Sequence, residues 1–311
     1  MTLPRLNDKL FLLVASLLID DPSIIHRQAL QVASQFLDLF AETGVRATFF
    51  IVGDDVRSRK LTPEVIRRMV AAGHELANHT MNHPHNLSRL SRAQKEEEVI
   101  ATGRLLESVS GQRVVGFRAP CLDVDEEIVE ILERHGYWYE SSVLPFYLKQ
   151  VQQMAYGIIT RGQFRSTGAW QNSFAPGNPY APRAGKLHRR GSRTITEVPI
   201  ATVPILRLPF YSTIHFALGR RSFDASYSLV RRGRSQFTYE LHSIDLADCD
   251  DDGLRQRYPG IHRHPCLKRP AAENRKFLAY AIRRFQQDYT LTTMREMVET
   301  LRPDANLLLA G

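Results

Sequence analysis

The chain reads as a parallel α/β fold, either an open doubly wound sheet or a barrel, and three observations lead there. Apolar runs of strand length alternate with segments of helical period at about 30 residues per unit, which implies parallel strands joined by right-handed crossovers. Capping residues, prolines and glycines punctuate the boundaries between them. The 311 residues, 43% hydrophobic and 24% charged, have the composition of an ordinary soluble protein with room for a sizeable core. No GxGxxG follows the first strand and no GxxxxGK[ST] occurs, which counts against nucleotide-binding versions of such folds.

Residues 10–19 form a near-continuous apolar run, as a strand buried on both faces must. Residues 28–43 carry Leu30, Ala33, Leu37 and Phe40 at helical spacing and stop at Gly44. The second strand is 46–52. Thr62-Pro63 is an N-cap with proline at the first helical position, opening a helix that buries Val65, Ile66, Met69 and Val70 and ends at Gly73. A short strand, 74–78, follows. Ser91 caps the next helix, which carries Glu96-Glu97-Glu98 near its positive end and closes at Gly111. Then come strand 114–118, helix 126–134 before Gly136, and strand 137–142.

Between about 146 and 235 this rhythm breaks. Pro176, Pro179, Pro182, Pro199, Pro204 and Pro209 fall here, and 183–234 holds 11 Lys/Arg against only Glu197 and Asp224. This is a long, basic, Pro-rich insertion containing a strand at 194–203 and an apolar, aromatic loop at 206–211; such segments are usually functional. Regular structure resumes with strand 236–241, helix 271–287 and a strand–helix turn at 290–301. No second domain boundary is visible, so 1–311 is read as one domain.

The net charge of +8 favours anionic partners without choosing among phosphates, nucleic acid and membrane surfaces. Cys121, Cys249 and Cys266 are odd in number and lack CxxC spacing, against a disulfide framework or a cysteine zinc site. The 10–19 run is too short to span a bilayer and ends in Asp20-Asp21 instead of a small-residue cleavage site, so a cytoplasmic protein is expected.

In parallel α/β folds reactive side chains collect at the C-terminal ends of strands. Asp20-Asp21, the pair His79 and His83, Arg118 and His242 all fall at such ends. Each has a structural alternative as a helix cap, a loop tie or a packed histidine, but independent structural roles need not share one rim. Four residues apart, His79 and His83 would share one face of a helical turn. One Asp and two His can hold a metal and leave positions for water and a substrate oxygen. A second carboxylate could act as general base, a histidine across the site as general acid, and an arginine could keep the base ionised. Together these describe metal-assisted amide hydrolysis. Spacing alone does not say which of Asp20 and Asp21 binds the metal.

These stretches resemble the polysaccharide deacetylase (NodB-homology, carbohydrate esterase family 4) superfamily over roughly 10–156 and 236–301. Leu18-Ile-Asp20-Asp21 is similar to the family's first motif, His79-Thr-Met-Asn-His83 to the second, Phe117-Arg-Ala-Pro120 to the third and Leu241-His242 to the last. Residues 44–53 and Gly73-His-Glu are also similar. The resemblance implies a distorted (β/α)7 barrel, with Asp20 as base, Asp21, His79 and His83 as metal ligands, and His242 as acid. It also implies that Arg118 steadies the base and that the Pro120–Cys121 segment offers a backbone N–H to the oxyanion, with Leu241 at the substrate. The family often has an aromatic where Cys121 stands, and Pro22 replaces the usual glycine. Glu140 is the best match to the fourth motif's aspartate, which tunes the acid histidine.

The implied cofactor is a divalent metal, zinc first, with cobalt, nickel or manganese as alternatives. The implied activity is removal of an N-acyl group, N-acetyl first, from an amino sugar. An intracellular or lipid-linked glycoconjugate is the expected substrate, and Phe210, Tyr211 and Phe216 of the basic insertion are expected to dock on an anionic membrane or a lipid-phosphate carrier. An allantoinase-like small-molecule amidase is one alternative. A non-catalytic carbohydrate- or nucleic-acid-binding protein is another, although no nucleic-acid motif is present.

Overall fold

The computed structural model describes residues 10–16, 28–148, 169–248 and 264–301. Asp20, Asp21 and Cys249 lie outside them. In order, the first half contains β1 (Leu10–Ser16), α1 (Gln28–Thr43), β2 (Thr48–Ile51), α2 (Gly53–Arg57), α3 (Pro63–Ala71), β3 (Glu75–Asn78), α4 (Arg92–Ser110), β4 (Gly116–Phe117), α5 (Glu126–Arg134) and β5 (Tyr139–Glu140). The second half contains β6 (Pro182–Arg183), β7 (Lys186–Arg190), β8 (Thr196–Glu197), α6 (Ser212–Leu218), α7 (Arg220–Gly233), β9 (Gln236–His242), α8 (Ala271–Gln286), β10 (Thr290–Thr292) and α9 (Met294–Leu301).

Local chemistry sets many of these boundaries. The Ser91 hydroxyl accepts the Gln94 N–H while the Gln94 side chain accepts the Ser91 N–H, a reciprocal capping box that starts α4. Gly111 ends that helix at φ 70°, a left-handed conformation that costs glycine little. Asp125 caps α5 by accepting the Ile128 N–H at 2.9 Å.

Seven strands run parallel in the order β9, β1, β2, β3, β4, β5, β8. β9 pairs along the whole of β1, from Leu10 opposite Gln236 to Ser16 opposite His242. On the other edge of β1, β10 pairs with Leu10–Leu12 and β2 with Val14–Ser16. Among the described residues no strand ladder joins β8 to β9; instead the Thr238 hydroxyl donates to the Pro199 carbonyl and accepts the Ala201 N–H. The result is a distorted (β/α)7 barrel.

Two apolar layers hold it together. The larger lies between strands and helices and includes Phe36, Phe40, Phe49, Ile66, Ile131, Leu132 and Phe285. The smaller fills the barrel: Phe50, Ala77, Val115, Tyr139 and Val198 pack with Met294, Met297 and Val298 of α9. At the strand starts the Met294 N–H binds the Thr48 hydroxyl and the Arg295 N–H binds Glu75, so α9 stoppers the N-terminal mouth. Gly116 is required inside, because a Cβ there would lie 2.0 Å from the Tyr139 ring.

The segment read as an insertion also supplies framework. β8 pairs in parallel with β5 and is a barrel strand, while β6 and β7 form a small antiparallel hairpin. α6 and α7 pack on the barrel through Phe216, Phe223 and Tyr227, all buried. This corrects the expected docking face. Phe210 is 0% and Phe216 3% exposed, because Phe210 packs among Phe223, Phe237, Tyr239 and Phe285, and Phe216 packs against Phe277. Among the described residues of the loop, it is Ile205, Leu206 and Leu208 that are exposed.

Candidate active site

The histidine pair sits on a loop leaving β3, not on a helical turn. Thr80 and His83 both have positive φ, 65° and 52°, so the chain curls back without helical hydrogen bonding. Polar contacts hold this curl. Asn78 accepts the Thr80 N–H and donates to the Val99 carbonyl and the Tyr137 hydroxyl, and Thr80 Oγ1 accepts the His83 N–H. The first amides of α2 bind the carbonyls of Thr80 and Met81. The loop thus reaches the proximity expected of a helical turn by another route: the two imidazole centroids stand 5.1 Å apart.

His79 is fully buried, and its Nδ1–H donates to the Arg118 carbonyl at 2.7 Å. That bond selects the tautomer whose lone pair is on Nε2, and Nε2 has no hydrogen-bond partner among the described residues. Burial, and then the neighbouring His83, hold its pKa well below the usual imidazole value, so the ring is neutral. A neutral imidazole with one nitrogen tied to a carbonyl and the other bare is what a metal ligand requires. The residues therefore fit a divalent cation. Among the described residues no third ligating side chain joins the pair.

Arg118 follows β4 and is 1% exposed. Its Nε donates to the Ser141 carbonyl, Nη2 to the Ser141 hydroxyl and Nη1 to Glu240, while the guanidinium lies 4.6 Å above the Phe50 ring. Glu240 and His242 share the inner face of β9, and Glu240 Oε1 stands 3.7 Å from His242 Nε2. His242 is partly exposed, its Nδ1 is 3.5 Å from the Thr213 hydroxyl, and the Tyr211 ring meets it edge-on. Its backbone N–H binds Asp245, a fully buried carboxyl whose pKa burial raises.

Glu140 accepts the Ser142 N–H and the Ser142 hydroxyl, and pairs with Glu197 on β8. Burial, and then Glu140, raise the Glu197 carboxyl well above the ordinary carboxylate range. The carboxylates brought to His242 are Glu240 and Asp245, not Glu140. Leu241 alternates with them and packs into the helix-facing core at 1% exposure, so its side chain points away from the substrate side. Pro120 and Cys121 open a short 3-10 turn beside Arg118, with Cys121 at φ 52° and partly exposed.

The structure thus brings together His79, His83, Arg118 and His242 at the C-terminal rim: His79 packs against His83 and donates to the Arg118 carbonyl, and Glu240 bridges Arg118 to His242. β1 ends at Ser16 in register with His242, and Asp20 and Asp21 lie beyond it, outside the described residues. Sequence reasoning missed Glu240. The signal was available, because two residues before His242 on one strand means the same face.

Residues 14–139 match the polysaccharide deacetylase family model. A chitooligosaccharide deacetylase of Bradyrhizobium sp. (strain ANU 289) is 47% identical over 76 residues, 24% of this chain and 33% of the relative. A peptidoglycan-N-acetylglucosamine deacetylase of Bacillus cereus is 28% identical over 109 residues, 35% of this chain and 36% of the relative. The chain spans about a third of the length of the curated relatives it matches. Among solved structures, a provisionally assigned polysaccharide deacetylase from Mycobacterium smegmatis superposes with TM-score 0.58 at 18% identity, covering 98% of this chain and 93% of the other. A CE4 family pseudoenzyme from Bacillus anthracis gives 0.50 at 15% identity, covering 94% and 66%. These likenesses show the fold; with a pseudoenzyme among them, activity has to be argued from the residues.

Proposed function

We propose that this chain, which belongs to the polysaccharide deacetylase superfamily, is a metal-dependent hydrolase that removes an N-acyl group, N-acetyl first, from an amino sugar. The observation that carries the reading is His79: fully buried, its tautomer set by the Arg118 carbonyl, with a bare Nε2 beside His83. His79 and His83 would hold the cation, with Asp21 as third ligand by the motif. When bound, a divalent cation such as zinc acidifies a water and polarises the amide carbonyl.

The chain's own residues supply the rest. Asp20, by the motif, takes the proton from the attacking water. His242, at the rim and partly open, delivers a proton from its ring to the leaving amine. Thr213 and Tyr211 hold the imidazole in place, and Glu240 sets the charge beside Nε2. By the motif, the backbone N–H at Cys121 would serve the developing oxyanion, a task that needs no particular side chain. The named activity of the chitooligosaccharide and peptidoglycan relatives agrees with an acetamido sugar as substrate.

The finer reading is an intracellular, lipid-linked glycoconjugate handled at the inner face of the membrane. It draws on the net charge of +8 and on the exposed Ile205, Leu206 and Leu208. The test is release of acetate or formate from free, nucleotide-linked and lipid-linked N-acyl amino sugars, paired with metal analysis. Metal-loaded protein that releases no acyl group from any of them would overturn the proposal.

A further inference from the structure

Three exposed stretches that no step of the proposed hydrolysis uses stand side by side. The first is the loop between Thr202 and Pro209, which pair as an antiparallel bridge. Inside it the Val203 N–H donates to the Leu208 carbonyl and the Arg207 N–H to the Val203 carbonyl, both at 2.8 Å. Ile205 at φ 67° and Arg207 at φ 50° are left-handed, a strained state and an outlier for a β-branched residue. This closed loop holds Ile205 out at 93% exposure, with Leu206 and Leu208 exposed beside it. Apolar exposure and backbone strain both oppose folding, so stability of the barrel gives no reason for the loop's shape.

The second stretch is the 3-10 turn Trp170–Phe174, whose Trp170 and Phe174 are more than half exposed. Arg207 clamps the two together. Its Nη1 donates to the Ser173 and Ala175 carbonyls, and its guanidinium lies 4.8 Å above the Tyr147 ring, which packs against Phe174 at 5.6 Å. The turn also packs on β7. The β6–β7 hairpin, the third stretch, presents Arg183, Lys186, Arg189 and Arg190 to solvent. Aliphatic tip, aromatic turn and basic hairpin thus adjoin one another, and all of them lie outside residues 14–139. Phe146, next in the chain to Tyr147, belongs to an apolar cluster on which Tyr211 packs, and Tyr211 meets the His242 ring. The face therefore borders the acid side of the active site.

Exposed apolar surface of this extent marks an interaction site, and its make-up selects the occupant. Isoleucine and leucine offer a sugar chain no polar partner. A second copy of this chain would set the hairpin cations against one another. An anionic bilayer satisfies all three parts: aliphatic side chains enter the acyl boundary, Trp170 and Tyr147 suit the headgroup level, and the hairpin cations meet lipid phosphates. We propose that this face docks the protein on an anionic lipid bilayer, with Ile205 and Leu206 as the inserted tip. The inference rests on the membrane part of the proposed function and gives it a face.

The test uses the full chain and sedimentation with vesicles of phosphatidylcholine, alone or with about one-third phosphatidylglycerol. Partitioning onto the anionic vesicles should be about ten-fold stronger than onto the neutral ones, and should weaken as salt is raised. Ile205→Asp with Leu206→Asp should reduce it about ten-fold, and Arg189→Glu with Arg190→Glu should remove the preference for anionic lipid. Brominated lipid should quench tryptophan fluorescence in the wild type and not in Trp170→Phe. Equal partitioning onto both vesicles, or partitioning that survives both pairs of substitutions, overturns the proposal. If the aspartate pair fails to fold by circular dichroism, the brominated-lipid quenching decides. A dimer in light scattering, with no vesicle binding, assigns the face to a second copy and also overturns it. Vesicle binding without acyl release from any N-acyl amino sugar keeps the face and sinks the deacetylase reading; acyl release without vesicle binding does the reverse.

Discussion

Arg118 and Glu240 form an ion pair at 2.7 Å with 1% and 7% of their side chains exposed, and the same carboxylate oxygen stands 3.7 Å from His242 Nε2. The pair joins β9 to the end of β4 across the barrel and sets a negative group beside the proposed acid. Removing one partner of a buried pair leaves the other charge uncompensated, which costs about 3–5 kcal/mol. Glu240→Gln should therefore lower stability by that order in urea titration and lower kcat at least ten-fold with little change in KM. Glu240→Asp should recover part of both. A Glu240→Gln variant with wild-type kcat would remove Glu240 from the site's chemistry.

The metal reading separates ligands from base. His79→Ala and His83→Ala should each empty the protein of metal on elemental analysis. Asp21→Asn should do the same, whereas Asp20→Asn should keep the metal and abolish hydrolysis. Metal lost in Asp20→Asn and kept in Asp21→Asn would exchange the two roles.

Acid stability should be governed by buried neutral histidines. His74 accepts the Ala47 N–H, lies against Phe40 and Phe49, and has its pKa lowered by burial to about 4. His215, bonded to Tyr239 and Ser226, is lowered by burial to about 3. Each folded pKa lies below the unfolded value, so the stabilisation is complete above about pH 6.5 and is lost as pH falls toward the folded values. His74 alone accounts for a loss of about 3 kcal/mol between pH 6.5 and 4. Urea midpoints should fall across that window, and His215→Phe should show a shallower slope whatever its stability at pH 7.

The Glu140–Glu197 pair has the opposite sign. Glu197's folded pKa is raised by burial and by Glu140, so its contribution is complete below the unfolded carboxyl pKa and declines as pH rises through the folded value. Glu197→Gln keeps the shape and removes the titration. It should be neutral or stabilising above pH 7, and melting temperatures read from pH 5 to 9 should diverge from the wild type in that direction. Convergence at high pH would mean that the carboxyls are not sharing a proton.

Much of the framework was legible because local rules decide it. Ser91 and Gly111 bracket α4 by chemistry confined to a few residues, as read from the sequence; the Gln94 half of the capping box and the Asp125 cap of α5 follow the same local rules but were not read there. The convergence of His79, His83, Arg118 and His242 followed from strand-end placement alone. The partners of those residues were harder to read. Arg118 finds Glu240 across the barrel, and Glu140 finds Glu197 across a strand pair whose second member, β8, sits in a segment rich in proline and arginine. Such pairings depend on which strands become neighbours, and periodicity carries no information about that. The same holds for Phe210 and Phe216: an aromatic loop rich in basic residues looks like a docking surface until the core that swallows it is known. The left-handed turn at Thr80 and His83 shows a further limit, since neither residue type announces a positive φ.

The pairing of β1 has a consequence for how the molecule is made. Leu10 lies opposite Gln236 on one side and Thr290 on the other, and the barrel's stopper follows β10 directly. Among the barrel strands β1 is made first, yet its partners β9 and β10 emerge after β2, β3, β4, β5 and β8. Until then the β9 edge of β1, and the Leu10–Leu12 stretch of the edge it shares between β2 and β10, are open templates for pairing with other chains. Folding of this barrel is thus a late, high-contact-order event, slow by topology and open to aggregation during synthesis.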